Sequence, residues 1–199
     1  MQVENNKEEV PFSYYENLFR NADPAEIAGR LPNTAWDGRC FSVTLMGTSY
    51  TISHPQVEIL PAGRPLPVQT FLLRYLLEGK TVPFLGNWKT FREMPWGELY
   101  IKPYTGRVLT RAAFTFGTRV EAFCKAAEKM GATPVSHGDA GYEFSLIGDY
   151  RIRLLIWAGD EEFPPSAQVL YSDNFEEGFA PEDRVVAGDI LISAIKANM

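Results

Sequence analysis

One hairpin pattern constrains the fold of this chain more than any other feature. Apolar side chains alternate with polar ones in residues 142–146 and again in residues 150–154, and the dipeptide Gly148-Asp149 lies between the two runs. A glycine at the first position of a two-residue turn favours a tight antiparallel hairpin. Beyond Arg153 the return strand is apolar on both faces, so its end should lie in the middle of a domain. We therefore predict an antiparallel strand pair that contributes Tyr142, Phe144, Ile152 and Leu154 to the core.

Helical patterns lie on both sides of this hairpin. The spacing of apolar residues predicts a core-facing helix between Pro67 and Gly79, and Pro181 with two following carboxylates predicts a terminal helix. Residues 41–45 and 50–52 alternate in the manner of a second hairpin. The expected fold is an α+β single domain, with antiparallel hairpins packed against several helices. That domain spans residues 1–199, and residues 1–37 form an N-terminal helical cap within it.

The middle of the chain gives less regular patterns. The stretch between Trp88 and Tyr104 is interrupted by Pro and Gly, and it is predicted as short strands and loops. Its aromatic residues could line a ligand pocket, with a buried core cluster as the alternative. Thr118 and Glu121 have the spacing of a capping box, which predicts a helix that ends at Gly131. The aromatic residues in question are Trp88, Phe91, Trp96 and Tyr100.

Composition and cysteine content exclude several classes of protein. The first ten residues are polar and acidic, so no secretory signal is expected, and no apolar run is long enough to predict a membrane span. Cys40 and Cys124 are too few for a disulfide framework, which favours a cytoplasmic protein. Neither cysteine has the spacing of a metal site, and we predict no metal and no cofactor. With a sequence pI of about 5.0 and no basic stripe, nucleic acid is not an expected partner.

Charge is distributed unevenly along the chain. Residues 64–125 contain ten basic and four acidic side chains, a net charge of +6, whereas residues 160–190 contain nine carboxylates and one arginine, a net charge of -8. One interpretation is that the two segments are neighbours in the fold and neutralise each other. The other is that the basic segment binds a small anionic ligand or an acidic partner protein. The sequence leaves the oligomeric state open.

The segment that follows Trp157 is the strongest candidate for a site. Asp160, Glu161 and Glu162 come directly after the apolar strand, and Asp173 is a more distant candidate partner. Carboxylates in an apolar surround could act as acid and base or could bind a divalent cation, whereas the alternative is a solvated turn. We predict that Asp160 is at least half buried and bonded to backbone amides or to an arginine such as Arg92. Glu161 should project outward. Trp157 and Trp88 complete the set of candidate binding residues.

Several short motifs together resemble a known family. They are WAGDEEF at residues 157–163, the segments 165–167 and 170–173, Pro181-Glu182-Asp183, and the stretches 71–76 and 88–93. From about residue 38 onward, these motifs make the chain similar to an uncharacterised bacterial and archaeal family, domain of unknown function 3786. The resemblance implies an anaerobic source but no assigned activity. Some members of that family carry cysteine clusters typical of iron-sulfur proteins, whereas two cysteines cannot supply the four thiolates of a cubane cluster.

Two functional hypotheses remain open from the sequence. The chain contains no complete catalytic constellation and none of the usual nucleotide, zinc-protease or esterase signatures, which favours a non-enzymatic cytoplasmic ligand-binding or accessory domain. The alternative is a carboxylate-dependent or metal-assisted enzyme that uses the segment from Asp160 to Glu162 with Asp173. Three or more acidic groups that converge in a cleft would favour the enzyme, and an open acidic loop would favour the binding domain.

Overall fold

The computed structural model describes residues 8–199 and divides the chain into two compact units, Met1–Thr81 and Val82–Met199. Helices and antiparallel strands occur in both, so the fold belongs to the α+β class, as the sequence predicts. No helix in the described range has the length and apolar character needed to cross a membrane. The single domain predicted for residues 1–199 stays a prediction.

The first unit contains a small sheet and three helices. Helix α2 begins as expected, because the carboxylate of Asp23 accepts a hydrogen bond of 2.8 Å from the amide of Ala25. Helix α1 packs against α3, and the rings of Phe19 and Phe41 lie 5.9 Å apart in its core. The predicted cap over residues 1–37 therefore holds α1 and α2 and ends in strand β1. The elements are α1 (Glu9–Asn21), α2 (Pro24–Arg30), β1 (Ala35–Trp36), β2 (Cys40–Leu45), β3 (Thr48–Ser53), β4 (Ile59–Leu60) and α3 (Leu66–Glu78), with strand order β1-β2-β3-β4.

The second unit is built on an antiparallel sheet with strand order β6-β7-β8-β9-β5. Its strands are β5 (Trp88–Thr90), β6 (Thr133–Pro134), β7 (Ala140–Ile147), β8 (Tyr150–Trp157) and β9 (Ser166–Ser172). Its helices are α4 (Gly97–Tyr104), α5 (Arg111–Phe116), α6 (Val120–Lys129), α7 (Phe175–Gly178) and α8 (Pro181–Asn198). The hairpin across Gly148-Asp149 is confirmed as β7 and β8, with Tyr142 opposite Leu154 and Phe144 opposite Ile152. All four of these core predictions are buried.

The two faces of this sheet differ in composition. The core face is covered by helices, because α5 packs against β8 and β9 while α6 packs against β7. On the opposite face, the register places Glu143, Arg153 and Leu170 side by side. Arg151 lies two residues before Arg153 on β8 and therefore shares this face. Trp88 on β5 pairs with Ser172 and therefore shares this face. We call it the polar face of the second unit.

The middle of the chain differs from the sequence prediction. Residues 97–104 form helix α4, not a strand or a loop, and α4 continues through a π-helical segment (Thr105–Thr110) into α5. The predicted capping box at Thr118 is wrong as well, since α6 is capped at Arg119 without a side-chain hydrogen bond. A capping box forms instead at Thr90, whose amide and hydroxyl donate to the carboxylate of Glu93 over 2.7 and 2.8 Å.

Candidate functional site

The acidic segment that follows β8 is an exposed turn. One carboxylate oxygen of Asp160 accepts hydrogen bonds from the amides of Glu162 (2.8 Å) and Phe163 (2.7 Å), and these bonds hold the pKa of Asp160 below its usual value. The predicted backbone bonds are therefore present, but the predicted burial of Asp160 is wrong. The apolar run of β8 ends at the half-buried Trp157, and Ala158 is already exposed, so the core stops before the carboxylates begin. Glu161 projects outward, as expected, and Glu162 is exposed too.

Asp173 does not join the acidic segment. Trp157 pairs with Ser166 at one end of the β8–β9 hairpin, and Ile152 pairs with Tyr171 at the other. Asp160 and Asp173 therefore lie at opposite ends, separated by a strand length of roughly 20 Å. No group of three or more His, Cys, Asp or Glu residues that could hold a metal ion occurs between residues 8 and 199. The carboxylate constellation required by the enzyme hypothesis is not assembled.

Asp173 instead fixes the loop that leads into β5. Its two carboxylate oxygens accept hydrogen bonds from the amide of Leu85 (3.1 Å) and from the amide and side chain of Asn87 (3.1 and 3.0 Å). Burial tends to raise the pKa of Asp173, but the hydrogen bonds outweigh it, and the pKa lies below its usual value. The loop carries Phe84 and leads directly to Trp88. Asp173 is thus a positioning residue for two aromatic side chains.

The polar face carries two arginines that lie on these aromatic rings. The guanidinium carbon of Arg153 is 3.9 Å from the centre of the Trp88 ring, and that of Arg151 is 5.5 Å from the centre of Phe84. The two rings meet edge to face at 5.2 Å. Cation–π contacts of this kind restrict the orientation of a guanidinium.

A single carboxylate holds both arginines. Glu143 accepts two hydrogen bonds from Arg153, at 3.0 and 2.9 Å, and one from Arg151 at 3.0 Å. Its side chain is only 15% exposed, whereas those of Arg151 and Arg153 are 47% and 25% exposed. We call Phe84, Trp88, Glu143, Arg151 and Arg153 the arginine–aromatic cluster. Its net charge is +1, and both arginine side chains are partly exposed.

The remaining predicted site residues lie outside this cluster. Trp157 shares the polar face but lies four residues beyond Arg153 along β8. Arg92 was a candidate partner of Asp160. It forms an exposed ion pair with Glu98 instead, at 3.0 Å. The predicted aromatic group is divided as well, because Phe91 is buried against Tyr104 while Trp96 and Tyr100 are exposed.

Ion pairs join the basic and the acidic segment of the second unit. Lys89 pairs with Glu176 at 2.7 Å, and both Arg107 and Arg111 pair with Asp189. The interpretation that the two segments neutralise each other therefore holds for two of the nine carboxylates, Glu176 and Asp189. The arginine–aromatic cluster shares no residue with these three pairs, so its positive charge is a separate feature.

Sequence reasoning missed four members of the cluster, although one signal for three of them was present. Glu143, Arg151 and Arg153 occupy polar positions of the two alternating runs, and alternation places them on the face opposite the apolar core residues. Their direct pairing was not predictable, because it depends on a bulge between Ser145 and Ile147. Phe84 carried no such signal, because it lies in a Pro- and Gly-rich loop whose path depends on Asp173, far away in the sequence.

Loss of the Asp173 carboxylate should destabilise the second unit in a pH-dependent way. The lowered pKa means that the charged form stabilises the fold above the pKa of the unfolded chain, and this contribution is lost as the pH falls through the lower folded value. We expect Asp173→Ala to reduce the free energy of unfolding by about 1–2 kcal/mol at neutral pH, and by much less at an acidic pH below the folded pKa of Asp173. Urea titrations of both proteins at the two pH values measure this. The exposed Glu161→Ala serves as control, and an equal loss at both pH values would contradict the prediction.

Comparison with known proteins identifies a family but no characterised relative. A family model described as a domain of unknown function (DUF3786) matches residues 23–194. No curated protein and no solved structure matches the chain.

Proposed function

The chain belongs to the DUF3786 family, and we propose that it is a non-enzymatic domain that binds a small anionic ligand at the arginine–aromatic cluster. The observation that carries the proposal is the position of Arg153. Its guanidinium lies 3.9 Å from the centre of the Trp88 ring and also donates two hydrogen bonds to Glu143. An arginine fixed in this way loses little conformational freedom when a ligand binds, which favours affinity.

The charge of the cluster indicates the class of ligand. Two guanidiniums share one carboxylate, so one positive charge is uncompensated within the cluster. Planar guanidinium edges match the oxygens of a carboxylate or a phosphate group, to which they donate paired hydrogen bonds. The ligand is therefore a small molecule that carries such an oxyanion, and Trp88 and Phe84 offer its apolar part a surface.

Glu143 acts as an internal competitor for this ligand. Its carboxylate already accepts hydrogen bonds from one nitrogen of Arg151 and from two nitrogens of Arg153. Replacing it by the neutral Gln should leave both arginines in place on their aromatic rings while it removes the competing charge. Anion affinity should then rise. A cluster that serves stability alone would show no such gain, because Glu143→Gln would only weaken the packing of the two arginines.

The test is titration of the protein with inorganic phosphate and with acetate at low ionic strength, followed by the NMR signals of the arginine Nε–H groups. Saturable shifts of Arg151 and Arg153 are expected with at least one of the two anions. Because a charge-assisted hydrogen bond contributes roughly 1.5–3 kcal/mol, Arg153→Gln should weaken binding about tenfold or more. Glu143→Gln should strengthen it several-fold.

The matched control is Arg92→Gln, which removes an exposed arginine outside the cluster. This variant should bind the anion like the original protein. Absence of saturable binding in both the original chain and Glu143→Gln would overturn the proposal, as would equal weakening by Arg92→Gln and Arg153→Gln. A response to both anions would mark a general oxyanion site, and a response to one alone would identify the ligand group.

We also place this binding domain in the cytoplasm. Cys40 and Cys124 are both free thiols and only partly buried. Partly exposed free thiols persist most readily in a reducing compartment, which supports this part of the proposal.

A further inference from the structure

The two arginines of the arginine–aromatic cluster use their guanidinium groups differently. Arg153 donates to Glu143 through Nε and Nη2, the two nitrogens of its side-on edge, at 3.0 and 2.9 Å. Arg151 donates to Glu143 through Nη1 alone, at 3.0 Å. Within residues 8–199, Nε and Nη2 of Arg151 have no hydrogen-bond partner, and this side chain is 47% exposed. The side-on edge of Arg151 is therefore unpaired, whereas that of Arg153 is occupied.

Arg153 keeps Glu143 away from the unpaired edge. Its guanidinium carbon lies 3.9 Å from the centre of the Trp88 ring, and its two hydrogen bonds converge on one oxygen of Glu143, Oε2. The other oxygen, Oε1, accepts from a single nitrogen of Arg151. Without Arg153, both oxygens of Glu143 could turn to Arg151 and form a paired contact with it. Arg153 is thus a positioning residue for Arg151.

We infer that the ligand of the cluster is a small monocarboxylate, bound through the side-on edge of Arg151. This inference rests on the proposed anion-binding function and specifies its ligand. The Nε–H and Nη2–H groups of one guanidinium are parallel, and they match the two oxygens of one carboxylate. A lysine would offer the same charge without this paired geometry, so the contact depends on Arg at position 151.

The charge of the cluster favours a carboxylate over a phosphate dianion. The two arginines and Glu143 together carry a charge of +1, which one carboxylate neutralises and a dianion would reverse. The bound anion would also face the Glu143 carboxylate across a single guanidinium, because both contact Arg151. Repulsion between ligand and Glu143 grows with the charge of the ligand, so a monoanion binds with less repulsion.

The test compares acetate with inorganic phosphate at a mildly alkaline pH, where phosphate is mostly a dianion. Acetate should bind several-fold more tightly. The NMR signal of the Arg151 Nε–H group should move downfield as its new hydrogen bond forms, whereas that of Arg153, which already donates to Glu143, should move less. Acetamide is the control, since it has the shape of acetate without the charge, and it should not bind.

Substitutions of the arginines separate ligand contact from positioning, with the backbone amide at position 151 as the NMR signal common to all variants. Arg151→Lys should weaken acetate binding about tenfold, because it keeps the charge and loses the paired hydrogen bonds. Arg92→Lys, the same change at an exposed arginine outside the cluster, should have no effect. Arg153→Gln combined with Glu143→Gln should bind acetate about as tightly as the original protein, since the net charge is again +1 and no carboxylate competes for Arg151.

Several results would overturn the inference and leave the proposed anion site standing. They are phosphate bound as tightly as acetate or more tightly, unchanged acetate binding in Arg151→Lys, and a double variant that binds no better than Arg153→Gln alone. Binding of neither anion, in the original chain and in Glu143→Gln, would overturn both proposals. The comparison of the two anions and the Nε–H shifts use the original protein, so they decide the inference even if a variant does not fold.

Discussion

Replacing Arg184 with Ala should lower the free energy of unfolding by about 3–5 kcal/mol, among the largest single effects expected in this chain. Arg184 is 2% exposed, and its guanidinium donates to the carbonyls of Pro95 (2.8 Å) and Glu176 (3.0 Å). Removal of the side chain leaves both carbonyls without this donor and opens a cavity between α8 and the turn before α4. Urea denaturation followed by fluorescence measures the loss.

The buried positive charge of Arg184 also has a desolvation cost, which opposes the stabilisation from its hydrogen bonds. Burial lowers the pKa of its guanidinium, although the nearby Glu176 and Asp183 favour the charged form. Its Nε has no hydrogen-bond partner within residues 8–199. Arg184→Met preserves most of the volume and avoids a buried charge, so its loss of stability should be smaller than that of Arg184→Ala. This ordering separates packing and desolvation from the two hydrogen bonds.

An arginine on the surface of the same region provides the control. Arg111 is 40% exposed and donates to Asp189 and Ser193 on helix α8. Exposed ion pairs contribute little, and Arg111→Ala should lower the free energy of unfolding by less than about 1 kcal/mol. Equal losses for Arg111→Ala and Arg184→Ala would show that burial of Arg184 does not matter for stability.

The position of Arg184 illustrates what the sequence could not predict. In the sequence it is the single basic residue of an acidic segment, which is typical of a solvated arginine. Its burial depends on the turn at Pro95, almost 90 residues earlier, and no local pattern encodes that contact. The hairpin at Gly148-Asp149 is the opposite case. Alternation and turn chemistry lie within one short window, so the hairpin, its core residues and its polar face follow from the sequence. Its register does not, because a bulge between Ser145 and Ile147 shifts the pairing by one residue.

Helix α4 was missed for a local reason. Pro95, Gly97 and Pro103 indicate a loop, because proline removes a backbone donor and glycine weakens a helix. The structure accommodates Pro103 next to the π-helical segment, where the Thr105 hydroxyl donates to the carbonyl of Ile101 over 2.7 Å. Side-chain and wider-turn hydrogen bonds thus replace part of the regular pattern. The candidate site was only partly predictable from the sequence. Trp88 and Asp173 were identified, but their connection through the hydrogen bonds of Asn87 joins residues more than 80 positions apart, which no local pattern encodes.

Gly97, which follows Trp96 at the start of this helix, should not tolerate a larger side chain. A Cβ at Gly97 would overlap the carbonyl oxygen of Phe91 and would lie 2.9 Å from its carbonyl carbon. These are backbone atoms of a segment held by the Thr90–Glu93 capping box, so they cannot move aside as a flexible side chain would. Gly97→Ala should therefore lower the free energy of unfolding by about 2–3 kcal/mol.

At Gly106 the same Gly→Ala substitution can be made where a Cβ has free space. It lies in the π-helical segment of the same continuous helix, and a Cβ there would have no atom within 4 Å in the described structure. Because Ala loses less conformational entropy than Gly in a helix, Gly106→Ala should raise the free energy of unfolding by about 0.5–1 kcal/mol. Urea denaturation of the two variants gives opposite signs if close backbone approach governs Gly97. Two changes of the same sign would mean that helix propensity dominates at both positions and that the turn before α4 can relax. The left-handed backbone of Trp96, with its φ angle of 66°, would then not be enforced by its surroundings.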